Sequence, residues 1–317
     1  MAASVWDQKI GKKPSDAILN SRALFYLLGK GGFKEKASGG KTFELSVEYA
    51  TNTTFKSYGE LETLDTTRID VFDAAQFSPK IAAGTIVYSE LERLRAQADA
   101  GKFDVLAEKL ENGKDSHIND LNTQCWSDGT GNGSKDFGGM QLLIASDPTT
   151  GTVGGINRAT FSFWRNRQAS GAKSSSDFDN LRAQMRSVWN QCSLGGLKKT
   201  PTGALTTRTV MEGYESLLIA NERYSTADKT SKGDAGFNNS VLMFKGTKLA
   251  YDEAAPSGTL YFFNSDDLKI VYYAGGWMKM YPEVDPANQL ANVHKVATFG
   301  NMVTGNPRHL GVVTAIT

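Results

Sequence analysis

Apolar and polar positions alternate along this chain in two rhythms, one of period 3.6 and one of period 2, and the switches between them outline its elements. From Ser15, the residues Ile18, Leu19, Ala23, Leu24, Leu27 and Leu28 fall at helical spacing, and Gly29 to Gly32 closes that segment. Next, Phe43, Leu45, Val47 and Tyr49 alternate, a Thr/Asn/Gly-rich middle follows, and alternation resumes at Leu64, Ile69, Val71 and Phe72, which predicts a long two-stranded ribbon. A β-rich run from Ile81 to Tyr88 leads to Ser89, which with Glu92 forms a capping box ahead of Leu91, Leu94 and Ala98. After Gly101 comes the longest stripe, Phe103, Leu106, Leu110, Gly113, His117, Leu121 and Cys125, in steps of three or four. That stripe predicts a helix over about 102–126, roughly 35 Å long at 1.5 Å per residue.

Two further helices are expected. Ser176 with Asp179 opens one carrying Phe178, Leu181, Met185, Val188 and Cys192, which Gly195 and Gly196 close. Another runs from about Arg208 to Tyr224, with Val210, Tyr214, Leu217 and Leu218 inward. The period then shortens: VLMFKG, TLYFFN, LKIVYYAG and GWMKMY read as short strands, and the tail from His294 reads as a hairpin turning at Gly305, Asn306 and Pro307. The chain thus mixes helices and strands, an α+β content. No repeat of solenoid or propeller length is present.

The 317 residues suffice for one large or two ordinary domains. Lys plus Arg of 35 against Asp plus Glu of 34 leaves +1, and neither sign gathers into a run that would mark a nucleic-acid or membrane surface. Cys125 and Cys192 stand singly, so neither a disulfide framework nor a zinc site is implied. The N-terminus lacks a continuous apolar core of a signal peptide, and no stretch is long and apolar enough to span a bilayer. The expectation is a soluble protein made in a cytoplasm.

The chemistry-bearing residues are sparse. Gly39 to Thr42, GGKT, lacks the first glycine of a phosphate loop, because Glu35 occupies that position, and the segment precedes a strand rather than a helix. His117, His294 and His309 form no local metal signature, and His117 sits on an apolar stripe as an interior residue would. Asp266 and Asp267 are adjacent carboxylates in a turn sequence, NSDDLK. No nucleophile motif is present, so no catalytic, cofactor or metal residue is assigned.

The run from Ser127 to Arg167 is the most specific part of the sequence. It holds DGTG at Asp128 to Gly131, the pair Gly138 and Gly139, an apolar Leu142 to Ile144 read as a short strand, and GTVGGINRATFSFWRN from Gly151 to Asn166. In that order these pieces resemble the major capsid proteins of tailed bacteriophages, which have the Hong Kong 97-like fold. The resemblance implies an N-terminal arm (1–40), an extended loop (41–80), a peripheral domain beginning at 81–170 with the long helix as its spine, an inserted axial domain (171–285) and a return to the peripheral domain (286–317). It implies a virion protein that assembles itself into pentamers and hexamers of an icosahedral head around double-stranded DNA, in the host bacterial cytoplasm, without enzymatic activity. It also implies a portal protein as partner, a separate scaffolding protein because the arm is short, and in some relatives a decoration protein. Subunit-interface candidates are Phe55, Lys56 and Tyr58 at the ribbon tip, and Arg158, Trp164, Arg165 and Arg167, for which the alternative is a core Trp164 with solvated arginines. Lys56 invites comparison with the inter-subunit isopeptide links of some relatives, but no partner asparagine is identifiable and no crosslink is expected. Three other readings remain: an encapsulin-type nanocompartment shell, a monomeric α+β hydrolase with an unrecognised carboxylate pair, and a tail-tube protein.

Overall fold

A computed structural model describes residues 23–24, 34–97, 105–170, 178–221 and 242–316. The expected helix from Ser15 lies outside these apart from Ala23 and Leu24, as do the start of the long helix, residues 171–177 and the end of the helix expected to reach Tyr224. In chain order the elements are β1 (Lys34–Ala37), β2 (Phe43–Glu48), β3 (Phe72–Phe77), β4 (Lys80–Ser89), α1 (Glu90–Gln97), α2 (Val105–Trp126) and the single-turn α3 (Met140–Leu143). There follow β5 (Thr152–Val153), β6 (Ile156–Asn157), β7 (Arg167–Ser170), α4 (Phe178–Cys192), β8 (Gly203–Thr206) and α5 (Arg208–Asn221). The chain finishes with β9 (Leu242–Phe244), β10 (Thr247–Tyr251), β11 (Leu260–Phe263), β12 (Leu268–Tyr273), β13 (Lys279–Met280), β14 (Ala291–Thr304) and β15 (Gly311–Thr314).

Two main sheets organise the body. The first has β1, β12, β14 and β13 in that order, with β4 on β14, whose fourteen residues make it the longest strand. Its β4–β14 ladder sets Ala82 opposite Thr298, Gly84 opposite Val296 and Ile86 opposite His294. Strand alternation puts these on one face, and α2 lies across it. A Cβ on Gly113 would fall 2.3 Å from Ile86 Cδ1, so the helix packs on the Ile86 side chain closely enough that a larger residue would make that side chain shift. One turn further on, buried His117 Nε2 lies 2.8 Å from Thr298 Oγ1. The capping box at the start of α1 forms as its sequence requires: Glu92 N–H donates to Ser89 Oγ and Ser89 N–H to Glu92 Oε2, each 3.2 Å.

The second sheet runs β7-β15-β11-β8-β10-β9. Alternation along β11 splits its side chains between two cores: Leu260 and Phe262 pack with Leu181, Met185 and Val188 of α4, while Tyr261 and Phe263 face the core that holds Leu121, Cys125 and Trp126 of α2. The Trp126 and Tyr261 rings meet edge-on, 5.5 Å between centroids.

Strand pairing differs from the sequence reading in three places. The segment 171–285 is not one unit, because β12 and β13 pair with β14 in the first sheet. The tail is not a hairpin: β14 and β15 lie in different sheets, and residues 305–310 carry the chain between them. Leu142 to Ile144 is not a strand, since Leu142 N–H and Leu143 N–H both donate to Gly139 O at 3.1 Å and wind α3. Short apolar runs have no periodicity that separates strand from helix, and partners are chosen by tertiary packing that the local pattern does not encode.

Candidate functional site

The ribbon protrudes from this body. β2 and β3 pair antiparallel from Phe43↔Phe77 to Glu48↔Phe72, so the ladder is six pairs long. The alternation at Leu64, Ile69 and Val71 does not extend it, because residues 62–71 form no strand. One face of the ladder, with Phe43, Val47, Ala75 and Phe77, is buried; the other, with Glu44, Glu48, Phe72 and Gln76, is exposed.

What holds the ribbon is the glycine-rich run singled out in the sequence. Gln76 N–H donates to Gly154 O at 2.8 Å. Gly154, at φ +59°, lets the β5–β6 turn lie flat on the ribbon, since a Cβ there would stand 3.0 Å from the Phe77 ring and 3.1 Å from Ala75 Cβ. Higher up, the rings of Tyr49 and Phe163 stack at 5.4 Å.

Four candidate residues lie in or beside this seat, and the side chains of two of them are interior. Trp164 is 1% exposed, and its indole N–H donates to Val153 O at 2.9 Å. Arg158 is 2% exposed, and its Nη2 donates to Leu143 O at 2.6 Å. Both side chains are interior, so neither is available to another molecule. A buried Trp N–H usually finds an acceptor, and here the carbonyl of the adjacent hairpin supplies one. Arg165 is half-buried and clasps the chain below it, with Nε on Arg158 O at 2.7 Å and Nη2 on Ala159 O at 2.8 Å. Arg167 opens β7, where its N–H donates to Leu310 O at 2.8 Å. Asn166, which the sequence reading did not single out, ties both polar groups of Ala145: Oδ1 accepts from its N–H at 3.2 Å and Nδ2 donates to its carbonyl at 2.9 Å.

The tip is organised by its own polar side chains. Tyr58 hydroxyl donates to Thr54 O at 2.8 Å and accepts from Asp65 N–H at 3.1 Å, so this half-buried ring is the pivot of the tip. Lys56 pairs with Glu62 at 3.4 Å and lies 4.9 Å from the centre of the Tyr58 ring. Thr67 donates twice to Asp65 and holds that exposed carboxyl below its ordinary range. Among the polar side chains of this segment four apolar ones stand in water: Phe55 is 85% and Leu61 99% exposed, and Leu64 and Phe72 are exposed as well. Leu61 was not picked from sequence, because one leucine in a polar stretch carries no periodic signal.

Other chemistry-bearing residues are dispersed. Asp266 pairs with exposed Lys199 at 3.2 Å, whereas Asp267 meets His309, so the adjacent carboxylates serve different partners. GGKT links β1 to β2 and so joins two strands. Burial raises both cysteine thiols to about 12. No group of three or more His, Cys, Asp or Glu side chains that could hold a metal occurs among the described residues.

No protein-family model matches the chain, and no curated protein sequence matches it. Solved structures do, along nearly its whole length. The chain is similar to the capsid protein of cyanophage A-1(L), with a TM-score of 0.74 at 15% identity, covering 98% of this chain and 97% of that one. It is similar to the capsid of Myoviridae phage XM1, at TM-score 0.63 and 10% identity over 99% and 98% of the two chains. It is also similar to the SrpI encapsulin of Synechococcus elongatus PCC 7942, at TM-score 0.60 and 11% identity over 99% and 94%. The fold is the Hong Kong 97-like capsid fold.

Proposed function

We propose that this protein is the major capsid protein of a tailed bacteriophage, a shell subunit that packs against copies of itself in pentamers and hexamers of an icosahedral head. The observation that carries this reading is the ribbon: a chain of this fold presents an arm whose base is locked to its own body by Gly154, Phe77 and the Tyr49–Phe163 stack, while its tip leaves Phe55 and Leu61 in water. Large apolar side chains left this exposed on one arm favour a surface that meets a partner. In this reading the sheet bearing α2 is the peripheral domain, and the six-stranded sheet with α4 and α5 is the axial domain. Many modest contacts per subunit sum by avidity and let misplaced subunits leave before the shell closes.

The finer parts of the reading are a portal protein as partner, a separate scaffold, in some cases a decoration protein, and packaged double-stranded DNA held without sequence specificity, in a virion assembled in the bacterial cytoplasm. Its role is geometric rather than enzymatic. The near-neutral charge suits an inner wall that must not grip phosphate through counterion release. The encapsulin likeness favours a second reading, a protein-filled compartment on the same fold. Negative-stain electron microscopy of the protein, expressed alone and with its neighbouring genes, tests the proposal. Closed isometric particles support a shell, with DNA inside favouring the virus and protein cargo the compartment. Helical tubes or isolated subunits in both preparations refute it.

A further inference from the structure

Arg158 is a buried cation that no carboxylate among the described residues meets. Its backbone is fixed just past β6, where its N–H donates to Gly151 O at 2.9 Å, and its side chain is 2% exposed. A guanidinium carries five N–H donors and no acceptor. Among the described residues the side chain makes one hydrogen bond, Nη2 to Leu143 O, and its Nε–H is enclosed with no acceptor at all. It forms no ion pair with any described carboxylate. The nearest acidic residue along the chain, Asp147, is exposed and accepts from Thr149 and Thr150 in its own turn. Arg165 lies against Arg158 O and Ala159 O, and its charge, unlike that of Arg158, is faced by the Asp147 carboxylate. Burial pulls the Arg158 pKa down only to about 10, which leaves it charged at neutral pH.

A buried unpaired charge is among the most expensive features a fold can hold, and native proteins compensate it with an opposite charge. A carbonyl satisfies one donor and neutralises nothing, and a water would do no more. We infer that Arg158 is the binding site of a small inorganic anion, chloride or a halide like it, received by the Nε–H and the remaining guanidinium donors. The enclosure favours a monatomic ion over a side chain from a second copy, which would have to thread its carboxylate to a group only 2% exposed. The inference does not rest on the assembly reading, since an isolated subunit would hold the ion equally well.

The test is thermal unfolding of the purified protein against chloride concentration, with ionic strength held constant by gluconate. The wild-type midpoint should rise by about 2 °C for each tenfold of chloride beyond half-saturation, and Arg158→Met should show no such slope. Equal slopes in the two proteins, or none in the wild type, overturn the proposal. If Arg158→Met does not fold, the ³⁵Cl linewidth of wild-type solutions decides alone. Saturable broadening that excess bromide reverses upholds the site, and linewidths no different from buffer refute it.

Discussion

His309 Nδ1 lies 2.6 Å from Asp267 Oδ2, with the two side chains 5% and 12% exposed, and this contact joins two of the places where the chain passes between its sheets. Residues 264–267 connect β11 to β12, and residues 305–310 connect β14 to β15. The backbone reinforces the pair, since Gly305 N–H donates to Asp267 O at 3.0 Å. Replacing Asp267 by Ala leaves His309 enclosed without its acceptor and should lower the unfolding free energy by about 1.5–3 kcal/mol. Denaturant titration of the two proteins measures the difference.

Gly139 has an ordinary negative φ, and its requirement is steric. A Cβ there would stand 2.4 Å from Cys125 O and 2.6 Å from Gln124 O, backbone atoms at the end of α2 that cannot move aside. Gly139→Ala should therefore destabilise the fold by about 1–3 kcal/mol or more. Gly133→Ala, whose Cβ would meet nothing within 4 Å, should cost less, through its φ of +69° alone.

The exposed tip separates folding from association. Phe55→Ser and Leu61→Ser remove apolar surface that touches little of the subunit, so the unfolding free energy should stay within about 0.5 kcal/mol of wild type. Sedimentation of the double variant should show most of the protein outside closed particles. Unaltered particle yield would remove the tip from the assembly account.

His117 gives a pH dependence of definite sign. Burial lowers its pKa from the ordinary 6.5, an effect that the charge of Asp120 partly offsets. The unfolded chain then takes up the proton first. Stability is unaffected by this residue well above pH 6.5, falls as pH drops through that value, and levels off below the folded pKa. Melting temperatures of wild type and His117→Gln, compared from neutral to acid pH, should converge as pH falls.

Cys125 and Cys192 are buried, with thiols raised to about 12, so neither is a thiolate at pH 8. Ellman's reagent should find no fast-reacting thiol in the folded protein and two after denaturation.

Much of this fold was legible because periodicity reports burial directly. The α2 stripe through Gly113, His117, Leu121 and Cys125, and the Ser89–Glu92 box, are read from local chemistry and fold as that chemistry dictates. Partner choice was not legible. β11 and β12 are equally apolar neighbours in sequence, yet the turn between them separates two sheets, and which sheet a strand joins depends on long-range packing. The ribbon was overextended for a related reason: Leu64, Ile69 and Val71 alternate, but Asp65, Thr67 and Tyr58 close local hydrogen bonds that compete with a ladder. For Arg158 and Trp164 residue type leaves two uses open, since Arg and Trp dominate interfaces while Trp is as readily a core residue. The same large area and directed donors also make them good internal clasps, and only the acceptors Leu143 O and Val153 O decide between the two uses.

Sedimentation velocity on the purified full-length protein tests the central claim most directly. The account predicts a boundary of megadalton closed particles built from the 34.4 kDa chain. A single well-behaved species at the mass of one chain, persisting when the neighbouring genes are co-expressed, would contradict it.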